Sequence, residues 1–268
     1  MKTLVVKSWN VLHGVHEFNY QFQTSPVLKK YQCQYDPSKG YLACNYADLE
    51  NQRIRDLAKT IQKELQFNVV ACLQEVPGNL LDLLKIENPD YICYSYKYPR
   101  LPKLKNLWGQ LYSNPAEFLV TIAHKSLSIN QVQIIQFDDP GKACMLLEMT
   151  DLSILNTHLS FGIERNKALD QIFTAAATIA KNFVLVGDMN MDPSEFKKYL
   201  IKSKLSHLQL HQTSENTRKG VRNDGLIQTS KLDYYIAPAD INFCNVQANN
   251  NLDLSDHCLI TAMITWKQ

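Results

Sequence analysis

The chain has 268 residues, 45% of them hydrophobic and 20% charged, with a net charge of +2. That mixture excludes a disordered or fibrous chain and fits a globular protein with a sizeable core. The charge is too small to imply a polyanionic partner by itself, so electrostatic arguments have to be local. Cys33, Cys44, Cys72, Cys93, Cys144, Cys244 and Cys258 are odd in number and include no C-x-x-C pair. They read as reduced thiols, mostly core filler, in a reducing compartment. No apolar run approaches the roughly 20 residues of a membrane span. The first residues, MKTLVVKSWNVLHG, are interrupted by Lys7 and have no small-residue cleavage site, so they read as a strand rather than a signal peptide and a cytoplasmic location is expected.

In chain order, the strand TLVVKSWNVL is followed by a Tyr-rich segment at about 16–47, containing Tyr20, Lys29, Lys30, Tyr31, Tyr35, Tyr41 and Tyr46. It reads as an insertion able to form a flap over substrate or a partner surface. ENQRIRDLAKTIQKEL then places Ile54, Leu57, Ala58, Ile61 and Leu65 on one helical stripe. FNVVACL, YICYSYKY, EFLVTIA, VQIIQF, CMLLEMT and LSILNTHL read as strands. A second helix, ERNKALDQIFTAAATIAK, carries the stripe Ala168, Ile172, Ala175, Ala176 and Ile179. The strand FVLVG follows, then a short helix opening at Pro193, then the strands LDYYIA and CLITAMITW.

Each long helix leads directly into a buried-looking strand that ends in polar residues, VVACLQE and FVLVGDMN. Two similar halves are therefore expected. The fold class is α/β, a four-layer α/β sandwich of two packed, mainly antiparallel sheets flanked by helices, with strand ends from both halves meeting at one edge. With no Gly-, Ser- or Pro-rich linker, residues 1–268 are read as a single domain.

The polar residues at those strand ends are Asn10, Glu75, His158, Asp188, Asn190, Asp233, Asp256 and His257. Gly187 is expected to turn the chain just before Asp188, and the i, i+2 spacing to aim Asp188 and Asn190 the same way. Singly, each has a bland reading as a turn former, a cap or a structural histidine. Together, carboxylates with an amide and two histidines are the inventory of a hydrolytic site built on a hard cation such as Mg²⁺.

The ordered set WN, LQE, NTHL, GDMN, LDY and SDH, spanning Asn10 to His257, resembles the endonuclease/exonuclease/phosphatase superfamily, in its deoxyribonuclease and deadenylase-like branch. The resemblance implies the four-layer sandwich and hydrolysis of a phosphodiester by in-line attack of water. It implies that Glu75 binds Mg²⁺, or Mn²⁺ in its place, with Asn10 and Asp256 close by, directly or through water. Asp188 matches the residue that orients or deprotonates the water, and Asn190 the one that binds the phosphate oxygens. Asp233 matches the carboxylate that orients His257, and His158 the other active-site histidine.

The histidine in NTHL disfavours the abasic-site endonucleases, and LSDHCLI disfavours the inositol 5-phosphatases. YSYKYPRLPKLKNLWG interleaves Tyr94, Tyr96, Tyr98 and Trp108 with Lys97, Arg100, Lys103 and Lys105. It reads as a surface that stacks bases and neutralises phosphates, as an alternating strand with a solvated basic loop, or as a contact with an anionic membrane surface. Arg218, Lys219 and Arg222 in TRKGVRND lie between GDMN and LDY and are expected, with Arg100, to contact substrate phosphates. Nucleic acid, single-stranded or RNA, is the favoured substrate. A phospholipid, inositol phosphate or small nucleotide is the alternative, and a binding protein retaining the fold is a third reading.

Overall fold

The computed structural model describes residues 1–14, 16, 35–36, 41–42, 46–100, 113–179, 182–221, 226–250 and 253–267. From the N-terminus, β1 (Lys2–Asn10) precedes the paired two-residue strands β2 (Tyr35–Asp36) and β3 (Tyr41–Leu42). Then come α1 (Tyr46–Glu64), β4 (Val69–Pro77), α2 (Gly78–Glu87), β5 (Tyr91–Lys97) and β6 (Glu117–His124). The next stretch runs β7 (Ile129–Gln136), β8 (Ala143–Met149), β9 (Ser153–His158), α3 (Ile163–Ile179), β10 (Phe183–Asp188) and α4 (Pro193–Lys202). β11 (Leu208–His211), β12 (Arg218–Val221), β13 (Ile227–Ser230), β14 (Asp233–Pro238), β15 (Asn242–Asn249) and β16 (Leu259–Trp266) complete the chain. No helix among the described residues is long and apolar enough to cross a membrane.

Two six-stranded sheets result, ordered β15-β16-β1-β4-β6-β5 and β11-β14-β10-β9-β8-β7. Each has one parallel pair at its centre, β1 with β4 and β9 with β10, and antiparallel neighbours on both sides. A parallel pair needs a crossover, and α1 and α3 supply it, which is why a helix stands before each of the buried strands that end in polar residues. The two similar halves expected from the sequence are these two units.

Side-chain alternation sorts the core into layers. Leu4 and Val6 of β1, Val70 and Cys72 of β4, Ile154 of β9, Val184 and Val186 of β10, and Tyr235 and Ala237 of β14 share the cluster between the sheets. The intervening residues face outward: Leu73 packs with Leu57 and Ile61 of α1, and Leu155 and Leu185 pack with Leu169 and Ile172 of α3. Helix, sheet, sheet and helix form the four layers.

Some elements differ from the sequence reading. α2 begins directly after Pro77 and is not among the elements read from the sequence, yet Leu80, Leu81 and Leu84 give it a buried face. β11, β12, β13 and β15 are short or polar strands; β15, NFCNVQAN, is an edge strand with little apolar alternation. Tyr94 and Tyr96 pack against the core between the sheets, and Tyr98 is buried beside Tyr96 with ring centroids 6.0 Å apart. Tyr98, just past β5, is thus a core residue, and Tyr94 and Tyr96 lie partly buried on the inner face of an alternating strand rather than forming a free stacking surface. Lys103, Lys105 and Trp108 lie outside the described residues, as does most of the Tyr-rich segment at about 16–47, including Tyr20, Lys29, Lys30 and Tyr31. Of the cysteines, Cys72 and Cys144 fill the core, Cys93 and Cys258 are half-buried, and Cys244 is exposed; all five are free thiols.

Candidate active site

Parity explains why so many polar residues converge. Asn10 follows the inward positions of β1, His158 those of β9, Asp188 those of β10, and Asp233 begins the inward set of β14. Each is the inward-facing position at which the apolar core between the sheets gives way to a cleft. Register aligns them, because Asp188 is paired with His158 on one side and with Asp233 on the other.

Glu75 reaches the cleft differently. Between Leu73 and Val76 the β4–β6 register gains a residue, a β-bulge, and Glu75 sits there with φ 53. Asn190, with φ 45, and Leu12, with φ 59, are held in the same uncommon region. All three line one cavity of about 440 Å³, so the strained backbone gathers at the site.

Gly187 does not turn the chain as expected, since it stays within β10, paired with Thr157 and Tyr234. A Cβ there would lie 1.9 Å from the Thr157 carbonyl oxygen, and its φ of 145 is one that L side chains rarely adopt. Glycine is required by the close approach of β9. Asn190 lies beyond the strand, and it is aimed by bonds rather than by alternation. Its backbone N–H donates to Asp188 Oδ1 at 2.9 Å, and its Nδ2 donates to the Leu159 carbonyl at 2.8 Å. Arg165 donates to the Asn190 carbonyl and pairs with Glu195 of α4, fixing the loop from behind.

Around Asp188 the contacts are dense. Asn10 Nδ2 donates to Asp188 Oδ2 at 3.1 Å, while Asn10 Oδ1 accepts from the Leu12 N–H at 3.0 Å. His257 Nδ1 lies 2.8 Å from Asp233 Oδ2, which also accepts from Thr217 Oγ1 at 2.7 Å. The far nitrogen of His257 is 3.7 Å from Asp188 Oδ2 and 4.0 Å from Asp256 Oδ1. Burial opposes charge on His257, but the carboxylates of Asp233, Asp188 and Asp256 outweigh it and raise its pKa to about 10. The imidazole is therefore protonated at neutral pH. Burial, with Asp233 adding to it, raises Asp188 above the ordinary carboxylate range against the opposing pull of His257 and Lys142.

His158 is the contrasting histidine. Burial, then Lys142 and His257, hold its pKa well below the usual 6.5, so it is neutral. Its Nε2 is 3.5 Å from both Glu75 Oε1 and Asp188 Oδ2, and the Lys142 ammonium is 3.0 Å from its Nδ1. On the other wall, His16 Nε2 is 2.9 Å from Glu117 Oε2 and 4.0 Å from Glu75 Oε2. Burial disfavours charge on His16, yet Glu75 and Glu117 raise its pKa to about 9.

A divalent cation has a donor set here. Glu75 Oε2 is buried and accepts no hydrogen bond among the described residues, and Glu75 lines the cavity it shares with Asp188 and Asp256. Hard oxygen donors of this type suit Mg²⁺ or Mn²⁺. Asp188, Asp233 and His257 also offer ligand atoms within 4.8 Å of one another. In that group, however, His257 Nδ1 and Asp233 already bond each other, so the pair reads better as an orienting couple than as a chelate.

Of the residues singled out from the sequence, Glu75, Arg100, His158, Asp188, Asn190, Arg218, Asp256 and His257 line the cavity. Asn10 and Asp233 stand behind it, bonded to Asp188 and His257. Arg218 Nε lies 3.1 Å from Asp256 Oδ2. Lys219 lines an adjoining hollow of about 460 Å³ that shares Arg218, Asp256 and His257 with the cavity, and Arg222 lies outside the described residues. The sequence reading missed Lys142, which resembles a solvated turn lysine in DDPGKACML, and His16, which opens the segment read as an insertion.

Against known proteins, the model of the Endonuclease/Exonuclease/phosphatase family matches residues 8–257. Sequence comparison with curated proteins gives no match. Among solved structures, an endonuclease/exonuclease/phosphatase from Bacteroides vulgatus superposes with a TM-score of 0.68 at 13% identity, covering 100% of both chains. TDP2 of D. rerio, solved with a single-strand DNA product, gives 0.65 at 15% identity over 99% of this chain and 100% of its own. ANGEL2, described as a 2′,3′-cyclic phosphatase and solved with adenosine-2′,3′-vanadate, gives 0.65 at 15% over 98% and 95%.

Proposed function

The chain belongs to the Endonuclease/Exonuclease/phosphatase family and is a metal-dependent phosphoric ester hydrolase, and from that premise we propose a Mg²⁺-dependent phosphodiesterase acting on single-stranded nucleic acid, RNA foremost. The observation that carries the reading is His257, held by Asp233 at 2.8 Å, facing Asp188 at 3.7 Å in the cavity that Glu75 also lines with a buried oxygen that accepts no hydrogen bond among the described residues. Glu75, with Asp256 and Asn10 close by, would hold the ion, which supplies Lewis-acid polarisation of the phosphoryl group when bound. Asp188, oriented by Asn10, accepts the proton of the attacking water, and its raised pKa suits a general base. Asn190 has a second Nδ2 hydrogen to donate to a phosphoryl oxygen. His257, locked by Asp233, presents its Nε2–H to the charge that develops there.

Nucleic acid is favoured by the rim. Arg100, Lys142 and Arg218 line the cavity beside Glu75, Asp139, Asp188 and Asp256, with Arg218 paired to Asp256, which supports phosphate contacts at Arg100 and Lys142 first. Relatives of the same fold support the class, since TDP2 was solved with a single-strand DNA product and ANGEL2 with an adenosine derivative. The test is a denaturing-gel time course, with Mg²⁺, on 5′-labelled single-stranded RNA ending in an A-tract. Wild-type protein is expected to cleave it, and Asp188→Ala to lower kcat at least about a thousandfold, a barrier increase of roughly 4 kcal/mol. Activity retained by a folded Asp188→Ala protein overturns the assignment of the base.

A further inference from the structure

The geometry points to Phe161 as the platform on which a nucleobase beside the reacting phosphate stacks. This rests on the nucleic-acid reading above and assigns a base contact within it. A lone exposed apolar side chain is ordinary on a protein surface; what marks Phe161 is its place. The ring is 70% exposed, yet it lines the catalytic cavity together with Asp188, Asn190 and His257.

The loop that carries it is fixed to the catalytic groups themselves. The Leu159 N–H donates to the Asp188 carbonyl at 3.0 Å, the Leu159 carbonyl accepts from Asn190 Nδ2 at 2.8 Å, and Ser160 Oγ donates to Asp139 Oδ2 at 2.8 Å. These three bonds anchor Leu159 and Ser160, the two residues that precede Phe161, beside the residue proposed to grip the phosphate. Arg100 and Lys142 line the same cavity and could meet the backbone. A face for the base and cations for the phosphates are the two components of single-strand recognition. The tyrosines of β5 pack partly buried against the core, and none of them lines this cavity. A base on Phe161 is read by its π-face alone, so the contact discriminates nucleic acid from other phosphoesters without selecting a sequence.

The experiment compares a short oligoadenylate with its abasic counterpart, the same sugar-phosphate chain with each base replaced by hydrogen, using wild-type, Phe161→Ala and Phe161→Trp proteins. Phe161→Ala is expected to raise KM for the base-bearing chain at least about tenfold, leave KM for the abasic chain unchanged within about twofold, and leave kcat near wild type. Phe161→Trp is expected to retain the wild-type KM. Equal effects of Phe161→Ala on both substrates, or a Trp variant as impaired as the Ala variant, overturn the inference while leaving the nuclease reading in place. Wild-type binding to phosphatidylcholine–phosphatidylserine vesicles that Phe161→Ala abolishes, with oligoadenylate KM unchanged, also overturns it and makes the ring a membrane contact. If the wild-type protein cleaves neither chain, the nucleic-acid reading itself fails and the inference falls with it.

Discussion

At the scale of single residues, His257 is a buried imidazole that keeps its proton because carboxylates surround it. The unfolded imidazole titrates near 6.5 and the folded one at about 10. The stability it contributes is thus complete below 6.5 and is lost as pH rises toward 10. His16, raised to about 9, has the same sign over the lower part of that window. Asp233→Asn removes the carboxylate that touches Nδ1, so the folded pKa of His257 should fall. Two readouts follow from that one change. The alkaline limb of kcat/KM should move to lower pH, and the loss of stability between pH 6.5 and 10, measured by urea unfolding, should become shallower than in the wild type. A limb and a slope both unchanged would mean that Asp233 does not set the charge of His257. Asn10, His158, Asp188 and Asp233 were legible in the sequence because each stands where an inward-facing strand position leaves the apolar core. Glu75 was legible as a polar strand end, but its direction was not, since plain alternation would have turned it outward and the bulge that redirects it leaves no local signature. Lys142 and His16 were not legible, because a lysine after a turn and a histidine in a polar segment carry no sign of the wall they reach.

At the scale of elements, the two long helices and the central strands could be read because their periodicities are sustained, and tertiary packing follows the stripe the sequence presents. The polar edge strand β15 could not: it makes ladder bonds with β16 using residues whose side chains are largely polar or exposed, and nothing in an apolar pattern signals that. The turn assigned to Gly187 was wrong for an instructive reason. Glycine serves an approach between two elements as often as a bend within one, and only the position of β9 separates the two. The consequence is testable. In Gly187→Ala the methyl group meets the Thr157 carbonyl and the residue must hold a φ of 145, so a loss of roughly 3 kcal/mol or more in unfolding free energy is expected from strain and overpacking together. Chemical denaturation measures it, and a change under about 0.5 kcal/mol would show that β9 and β10 can part at no cost.

At the scale of the molecule, the two sheets must face each other at one fixed offset, or residues from both cannot share a site. Apolar packing between sheets supplies adhesion but little registration, whereas buried hydrogen bonds have direction. Gln74 of β4 donates from Nε2 to Asn156 Oδ1 of β9 at 2.8 Å, and Asn156 Nδ2 donates to the Val120 carbonyl of β6 at 2.8 Å. Both side chains are fully buried. The bridge lies one residue before Glu75 and two before His158, directly beneath the site, which makes it the natural determinant of how Glu75 meets His158. Removing one partner strands buried polar groups of the other, while removing both leaves fewer unsatisfied. Asn156→Leu is therefore expected to cost roughly 3 kcal/mol and Gln74→Leu about 2 kcal/mol. The double variant should fall short of their sum by at least about 1 kcal/mol. Urea unfolding of the four proteins closes the cycle. Strict additivity would mean that the amides do not register the sheets and that side-chain packing alone sets the offset on which the site depends.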